Sequence, residues 1–277
     1  MNAPVRTVAA VHDLSGVGRC ALTVAIPVIS AMGAQVCPAI TAALSAHTGF
    51  ADSHRIATID LTDFLKRMLD AWDEMGLKFD AVYTGYLGSP RQAEIISGFM
   101  DGQMGALKLV DPVMGDDGRL YSGMDGEMVK AMRNLCRKAQ VMTPNMTEYA
   151  YLSGEEYSLR DRTEDEIRRM LDKCEAENAI ITSVPYKGAL VNACRDGSGN
   201  VSILPFRAMK RHYPGTGDIF ASVLCGALVG GDDLAGAVSR AAEYVSRTIE
   251  ISMDIDIDGN FGVQLERTLP MLIRGEI

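Results

Sequence analysis

The chain has 277 residues, 47% of them apolar and 23% charged, and a net charge of −9. That balance suits a soluble globular protein, and the length suits a single domain over residues 1–277 with one large core. The acidic charge excludes nucleic acid and anionic membrane as natural partners, so an anionic ligand must be held by local features.

Taken in chain order, short β-rich runs alternate with longer helical patterns. Thr7–Val11 reads as a strand and Arg19–Met32 as a helix carrying Pro27 as a kink. Gln35–Ile40 is a strand. Thr62–Met75 places Phe64, Leu65, Met68, Leu69 and Trp72 at helical spacing, with Gly76 as its stop. Ala81–Thr84 is a strand, and Ser89-Pro90 opens a helix as cap and first-turn proline. Leu107–Val110 is a strand ending at Asp111-Pro112, followed by a helix over Glu127–Arg137. Val141–Thr143 is a strand ending at Pro144. A charged helix follows over Glu164–Glu177, then a strand over Ala179–Thr182. Gly188–Ala193 and Val201–Pro205 form a β-hairpin turned at Asp196–Asn200. Two helices follow, from about Thr216 to Leu228 and from about Leu234 to Ile249.

Such alternation predicts an α/β fold with a mostly parallel sheet covered by helices on both faces. Ligands in these folds bind at the carboxyl ends of the strands. That rule singles out the loops after Val11, Ile40, Thr84, Val110, Thr143 and Thr182. The six cysteines, Cys20, Cys37, Cys136, Cys174, Cys194 and Cys225, are far apart and include no C-x-x-C pair. Buried reduced thiols are expected, not a metal site or a disulfide framework. No targeting segment is visible in Met1–Arg6, and the apolar stretch Ala21–Met32 falls short of the ~18 residues a membrane span needs. A cytoplasmic protein is expected.

Four segments carry chemistry. Gly215-Thr216-Gly217-Asp218 precedes an apolar helix, so its backbone N–H groups can point at an anion while Asp218 accepts a hydroxyl proton. The plain reading of the same tetrad is an N-cap with an acid in the first turn. Asn145-Met146-Thr147-Glu148 puts an amide and a carboxylate on one helix face, able to orient phosphate oxygens and the water shell of Mg²⁺; its plain reading is a capping box. Asp111–Gly118 brings Asp111, Asp116 and Asp117 together at a strand end, as a hydrated-metal site, a mobile flap or a solvated turn. His12–Gly18, Ser45–Gly49 and Thr84–Ser89 are polar, glycine-bearing loops fit for small-molecule contacts. His12–Gly18 is not a G-x-G-x-x-G loop. His47 serves either as a ligand contact or as a structural histidine.

Together these motifs resemble the ribokinase-like superfamily, and within it the pyridoxal kinases, from about Val8 to Thr248. The resemblance implies a three-layer α/β/α ribokinase-like fold, a homodimer, and ATP-dependent phosphorylation of the 5′-hydroxymethyl of a B6 vitamer. It implies that Asp218 is the base and that Gly215, Thr216 and Gly217 form the anion hole. Asn145, Glu148, Asp111, Asp116, Tyr121, Thr182 and Ser183 would serve ATP, with Glu148 and Asp116 ordering Mg²⁺ through water. Asp111, Thr143 and Thr182 would border a monovalent cation, K⁺. Asp13, Ser15, His47, Thr48 and Tyr86 would surround the vitamin ring. Two departures stand out. Ala46 replaces the Asn of the S-N-H-T-G segment. His12-Asp13-Leu14-Ser15-Gly16 looks closer to the first loop of hydroxymethylpyrimidine kinases, which usually carry Cys where this chain has Asp218. A hydroxymethylpyrimidine or other small-alcohol kinase is therefore the alternative enzyme, and a non-catalytic vitamin-binding protein the alternative of another class.

Overall fold

The computed structural model describes residues 4–50, 55–209, 211–255 and 257–277, so part of the Met1–Arg6 stretch lies outside the described residues. In chain order the elements are β1 (Thr7–Ser15), α1 (Leu22–Ala31), β2 (Gln35–Leu44), β3 (Thr58–Asp60), α2 (Thr62–Glu74), β4 (Ala81–Thr84) and α3 (Pro90–Gly102). They continue with β5 (Leu107–Val110), β6 (Gly115–Asp116), β7 (Arg119–Leu120), α4 (Gly126–Cys136), β8 (Val141–Met142), α5 (Met146–Ser153) and α6 (Glu164–Asp172). The rest are β9 (Asn178–Tyr186), β10 (Ala189–Arg195), β11 (Val201–Pro205), α7 (Thr216–Gly230), α8 (Leu234–Met253) and α9 (Leu265–Arg274).

Nine strands form one sheet in the order β11-β10-β9-β8-β5-β4-β1-β2-β3. The six from β9 to β2 run parallel, and β3, β10 and β11 add antiparallel edges. Strands covered on both faces read as unbroken apolar runs, and Val8, Ala9, Ala10 and Val11 are all fully buried. Alternate residues feed two cores. Ala9, Val11 and Val82 face Leu65 of α2, Ile96 of α3, Met132 of α4 and Ile167 of α6. Val8, Ala81 and Tyr83 face Val24 of α1, Val223 of α7, Ala241 of α8 and Leu272 of α9. This is the three-layer α/β/α arrangement expected, and no helix among the described residues is long and apolar enough to cross a membrane.

Several boundaries differ from the sequence reading, each for a local reason. β1 continues to Ser15 because His12, Leu14 and Ser15 pair with Ile40, Ala43 and Leu44 across a bulge. Asp13 and Ser15 are therefore strand-end residues, not loop residues. Helix α1 starts at Leu22, not Arg19, because Ala21 sits at φ 51°, ψ −128°, outside helical space. Helix α6 stops at Asp172 instead of Glu177. β9 runs on to Tyr186, so Thr182 and Ser183 lie within a strand. Pro27 lies inside α1. All six cysteines are free as expected, but Cys20 and Cys37 are only partly buried. A short 3-10 turn, Gly259–Phe261, and α9 add a C-terminal segment that the sequence pattern did not reveal.

Candidate active site

The parallel strand ends open onto a cavity of about 460 Å³, lined among others by Asp111, Asp116, Tyr121, Thr143, Asn145, Glu148, Thr182, Ser183 and Gly215–Asp218. Twelve sequence-predicted positions thus share one cavity. Asp111 and Thr143 follow β5 and β8 directly, and the Thr143 hydroxyl donates to Asp111 Oδ1 at 3.0 Å. Asn145 and Glu148 form a complete capping box at the start of α5. The Glu148 carboxylate accepts from the Asn145 N–H at 2.8 Å and the Met114 N–H at 3.1 Å. Asn145 Nδ2 donates to the Gly115 carbonyl at 2.9 Å. The cap therefore fastens the Asp111–Asp116 loop to α5, and the plain reading of this segment as a capping box holds.

Gly215 sits at φ 81° as N-cap of α7, and no side chain caps that helix end. The first-turn N–H groups are left to face the cavity, where the helix dipole favours an anion. A side chain at Gly215 would collide with the Arg19 carbonyl, its Cβ falling 1.9 Å from that oxygen. Asp218, in the same first turn, accepts from the Ala21 N–H at 2.9 Å. Burial pushes its carboxyl up to about 7, against that hydrogen bond and with help from the charge of Asp13. Asp111 and Glu148 are also held well above the usual carboxylate range, by burial first and then by repulsion from Asp218 and Asp111 respectively. Asp116 goes the other way, because His212 hydrogen-bonds to it and holds its carboxyl low.

Asp13, Ser15, His47, Thr48 and Tyr86 do not line this cavity. They end or follow β1, β2 and β4, and Asp13 is near enough to Asp218 for its charge to raise that carboxyl. Ser15 Oγ donates to Asp13 Oδ2 at 2.9 Å, burial raises the Asp13 carboxyl, and the charge of Asp13 adds to the burial that raises Tyr86. His47 Nδ1 accepts from the Gly49 N–H at 3.1 Å, so Nε2 carries the proton and donates to the Asn260 carbonyl at 2.6 Å. Its ring also packs on Phe50, with centroids 4.7 Å apart. This is a satisfied histidine that braces the Ser45–Gly49 segment. Gly18, at φ 95°, leaves room for that ring: a Cβ there would lie 2.1 Å from His47 Cδ2. Thr48 is exposed beside it. Sequence reasoning missed Asn192, whose Oδ1 accepts from the Ser183 N–H at 3.1 Å, and His212 opposite Asp116 at 3.5 Å. Both lack a local motif, because their partners come from other strands.

Residues 23–263 match the family described as phosphomethylpyrimidine kinase. The pyridoxine/pyridoxal/pyridoxamine kinase of Bordetella bronchiseptica is 30% identical over 243 residues, covering 84% of each chain. The pyridoxal kinase of Lactobacillus plantarum superposes with a TM-score of 0.90 at 32% identity, covering 99% of this chain and 98% of that one. A Bacteroides thetaiotaomicron protein, provisionally labelled phosphomethylpyrimidine kinase and crystallised with pyridoxal, superposes at 0.91 with 43% identity, covering 97% of this chain and 96% of that one. The matched stretch spans 56% of the length of a Schizosaccharomyces pombe relative. With residues 23–263 matched and the three-layer fold in place, the chain belongs to the phosphomethylpyrimidine kinase family of ribokinase-like kinases.

Proposed function

We propose that this chain is an ATP-dependent kinase that phosphorylates the 5′-hydroxymethyl of a B6 vitamer: pyridoxal, pyridoxamine or pyridoxine. The observation that carries the reading is Asp218, a carboxylate with its pKa near 7, in the first turn of an uncapped helix. A group with that pKa takes a proton efficiently at neutral pH. The relatives support the substrate class: the Bacteroides structure holds pyridoxal, and the Bordetella and Lactobacillus proteins are named for B6 vitamers.

In this reading Asp218 accepts the hydroxymethyl proton, and the Ala21 amide holds the carboxylate in place. The N–H groups of Gly215, Thr216 and Gly217 meet the charge on the phosphoryl group in transfer. Asn145, Thr182 and Ser183 orient the nucleotide, and Tyr121 closes the β6–β7 flap over it. Asp13, Ser15, His47, Thr48 and Tyr86 form the ring side, with His47 shaping the wall through its backbone segment.

The residues present fit a divalent cation. Asp111 and Glu148 are buried carboxylates, and His212 is the only basic side chain among the described residues that line the cavity. No three metal-binding side chains converge among the described residues, which suits Mg²⁺ held mainly by phosphates and water, with Glu148 and Asp116 ordering its shell. When bound, Mg²⁺ would neutralise phosphate charge. K⁺ would sit among Asp111, Thr143 and Thr182. The protein is further proposed to be a cytoplasmic homodimer.

Glu148→Gln should shift the Mg²⁺ titration of activity to higher concentration. It should also cost about 1–3 kcal/mol of stability, because an amide nitrogen would face a backbone N–H that the carboxylate now satisfies. A Mg²⁺ titration that overlays the wild type would remove Glu148 from the metal's shell. The test of the function is ADP release with ATP, Mg²⁺ and K⁺ against the three vitamers, hydroxymethylpyrimidine and ribose. Turnover with a vitamer supports the reading. Turnover with hydroxymethylpyrimidine alone transfers the kinase to the alternative substrate, which the family description and the first-loop sequence favour. Binding of a vitamer with no turnover of any alcohol would leave a vitamin-binding protein.

A further inference from the structure

Ala21 holds a backbone conformation, φ 51° and ψ −128°, that is strained for a residue with a side chain. Such a conformation persists only where its surroundings over-determine it. What it achieves here is direct: it turns the Ala21 N–H onto Asp218 Oδ2 at 2.9 Å. The same short loop presses the Arg19 carbonyl against Gly215, so it touches both the start of α7 and the acid within it.

The surroundings that hold the loop come from the far end of the chain. Arg19 Nε donates to both carboxylate oxygens of Glu266, at 3.0 and 2.9 Å. Its Nη1 donates to the Phe261 carbonyl at 2.9 Å. Its backbone lies against Gly262, where a Cβ would come within 3.4 Å of the Arg19 nitrogen. The guanidinium fork thus bridges a side chain and a main-chain carbonyl, a geometry that a lysine cannot copy.

We propose that Arg19 is a positioning residue, through which the segment Gly259–Glu266 braces the Arg19–Ala21 loop and keeps the Ala21 amide on Asp218. The proposal rests on the reading of Asp218 as the base. Among the described residues, the ionisable groups around Asp218 are Asp13 at the end of β1, Cys20 in the loop, Tyr83 on β4, Asp111 after β5 and Tyr121 after β7. None of these carries positive charge. The Ala21 amide is therefore the contact that favours the ionised form of Asp218, and slackening it must make the acid harder to ionise.

The experiment uses the full chain as wild type, Arg19→Ala, Arg19→Lys and Glu266→Ala. The Asp218 carboxyl is titrated by ¹³C NMR, with its signal assigned from the loss in Asp218→Asn. The Asp218 midpoint should move up by about one pH unit in Arg19→Ala, and by less in Arg19→Lys and Glu266→Ala. With the preferred alcohol, kcat should fall about tenfold in Arg19→Ala, the acid limb of its pH profile should move with the midpoint, and KM for ATP should stay within twofold. A wild-type midpoint in folded Arg19→Ala overturns the proposal and leaves the Arg19–Glu266 pair as a staple of the C-terminal segment. If Arg19→Ala does not fold, Glu266→Ala decides on the same midpoint, since that side chain is 67% exposed. The titration needs no turnover, so a protein that phosphorylates nothing on the substrate panel would sink the kinase reading and still answer this question.

Discussion

Asp218→Asn should cut turnover by about 10²–10⁴-fold and at the same time make the protein more stable at pH 8. The two effects share one cause. The ordinary aspartate pKa is 3.8, and burial in the fold raises this one to about 7. The folded state therefore keeps a proton between those values that the unfolded chain releases, so this group's contribution to stability falls as pH rises through that window. Above about pH 7 the whole penalty is present. Asparagine carries no charge to desolvate, and its oxygen still accepts from Ala21. The gain should be of order 2 kcal/mol at pH 8, a shift of several degrees in Tm, and should shrink to nothing as pH falls to about 4. Calorimetry at pH 5 and pH 8 beside an ADP-release assay checks both halves. Near-wild-type turnover in the folded variant would remove Asp218 as the base. Equal Tm differences at the two pH values would mean that its carboxyl is not strained by burial.

Gly215→Ala should remove activity by about 10²-fold or more, through geometry alone. The new methyl group would lie 1.9 Å from the Arg19 carbonyl oxygen, and the backbone there is left-handed at φ 81°. Left-handed backbone costs about 1–2 kcal/mol for a residue with a Cβ, before any clash is relieved. Relief requires the start of α7 or the Arg19–Ala21 loop to move. Either motion displaces the uncapped N–H groups and separates Ala21 from Asp218. Stability should fall by about 2–4 kcal/mol, at the high end for a single change. Gly217→Ala provides the contrast. Its Cβ meets nothing within 4 Å, and it lies inside a helix, so that variant should hold or gain stability. Equal stability losses in the two variants would show that the clash at Gly215 is not what matters.

The layered fold was legible because its strands are buried on both faces and punctuated by Pro and Gly. Asp111-Pro112 and Thr143-Pro144 mark strand ends that lie next to each other, and both acid-bearing segments line the cavity. The side proposed for the ring was less legible. His12 and Asp13 look like loop residues in sequence, yet both fall within β1, where His12 pairs with Ile40 and Asp13 sits at the bulge, and His12 is fully buried with its pKa driven down to about 3 by that burial. Tertiary burial decides such a case, and a local pattern carries no trace of it. His47 was readable as a candidate contact but not as a brace, because its partner is the main-chain carbonyl of Asn260, which has no side-chain signature. The Arg19–Glu266 pair joins residues 247 positions apart, and nothing near either one announces the other.

That separation has a kinetic consequence. Closing so long a loop costs more entropy than pairing β1 with its neighbour β2, and contacts of high sequence separation form late. During refolding, the central sheet can therefore assemble from its nearer pairings while the Arg19–Ala21 loop still samples less strained conformations. The strained turn is set only when the Gly259–Glu266 segment docks. Alignment of the Ala21 amide on Asp218 should therefore come late in refolding, with the docking of the Gly259–Glu266 segment.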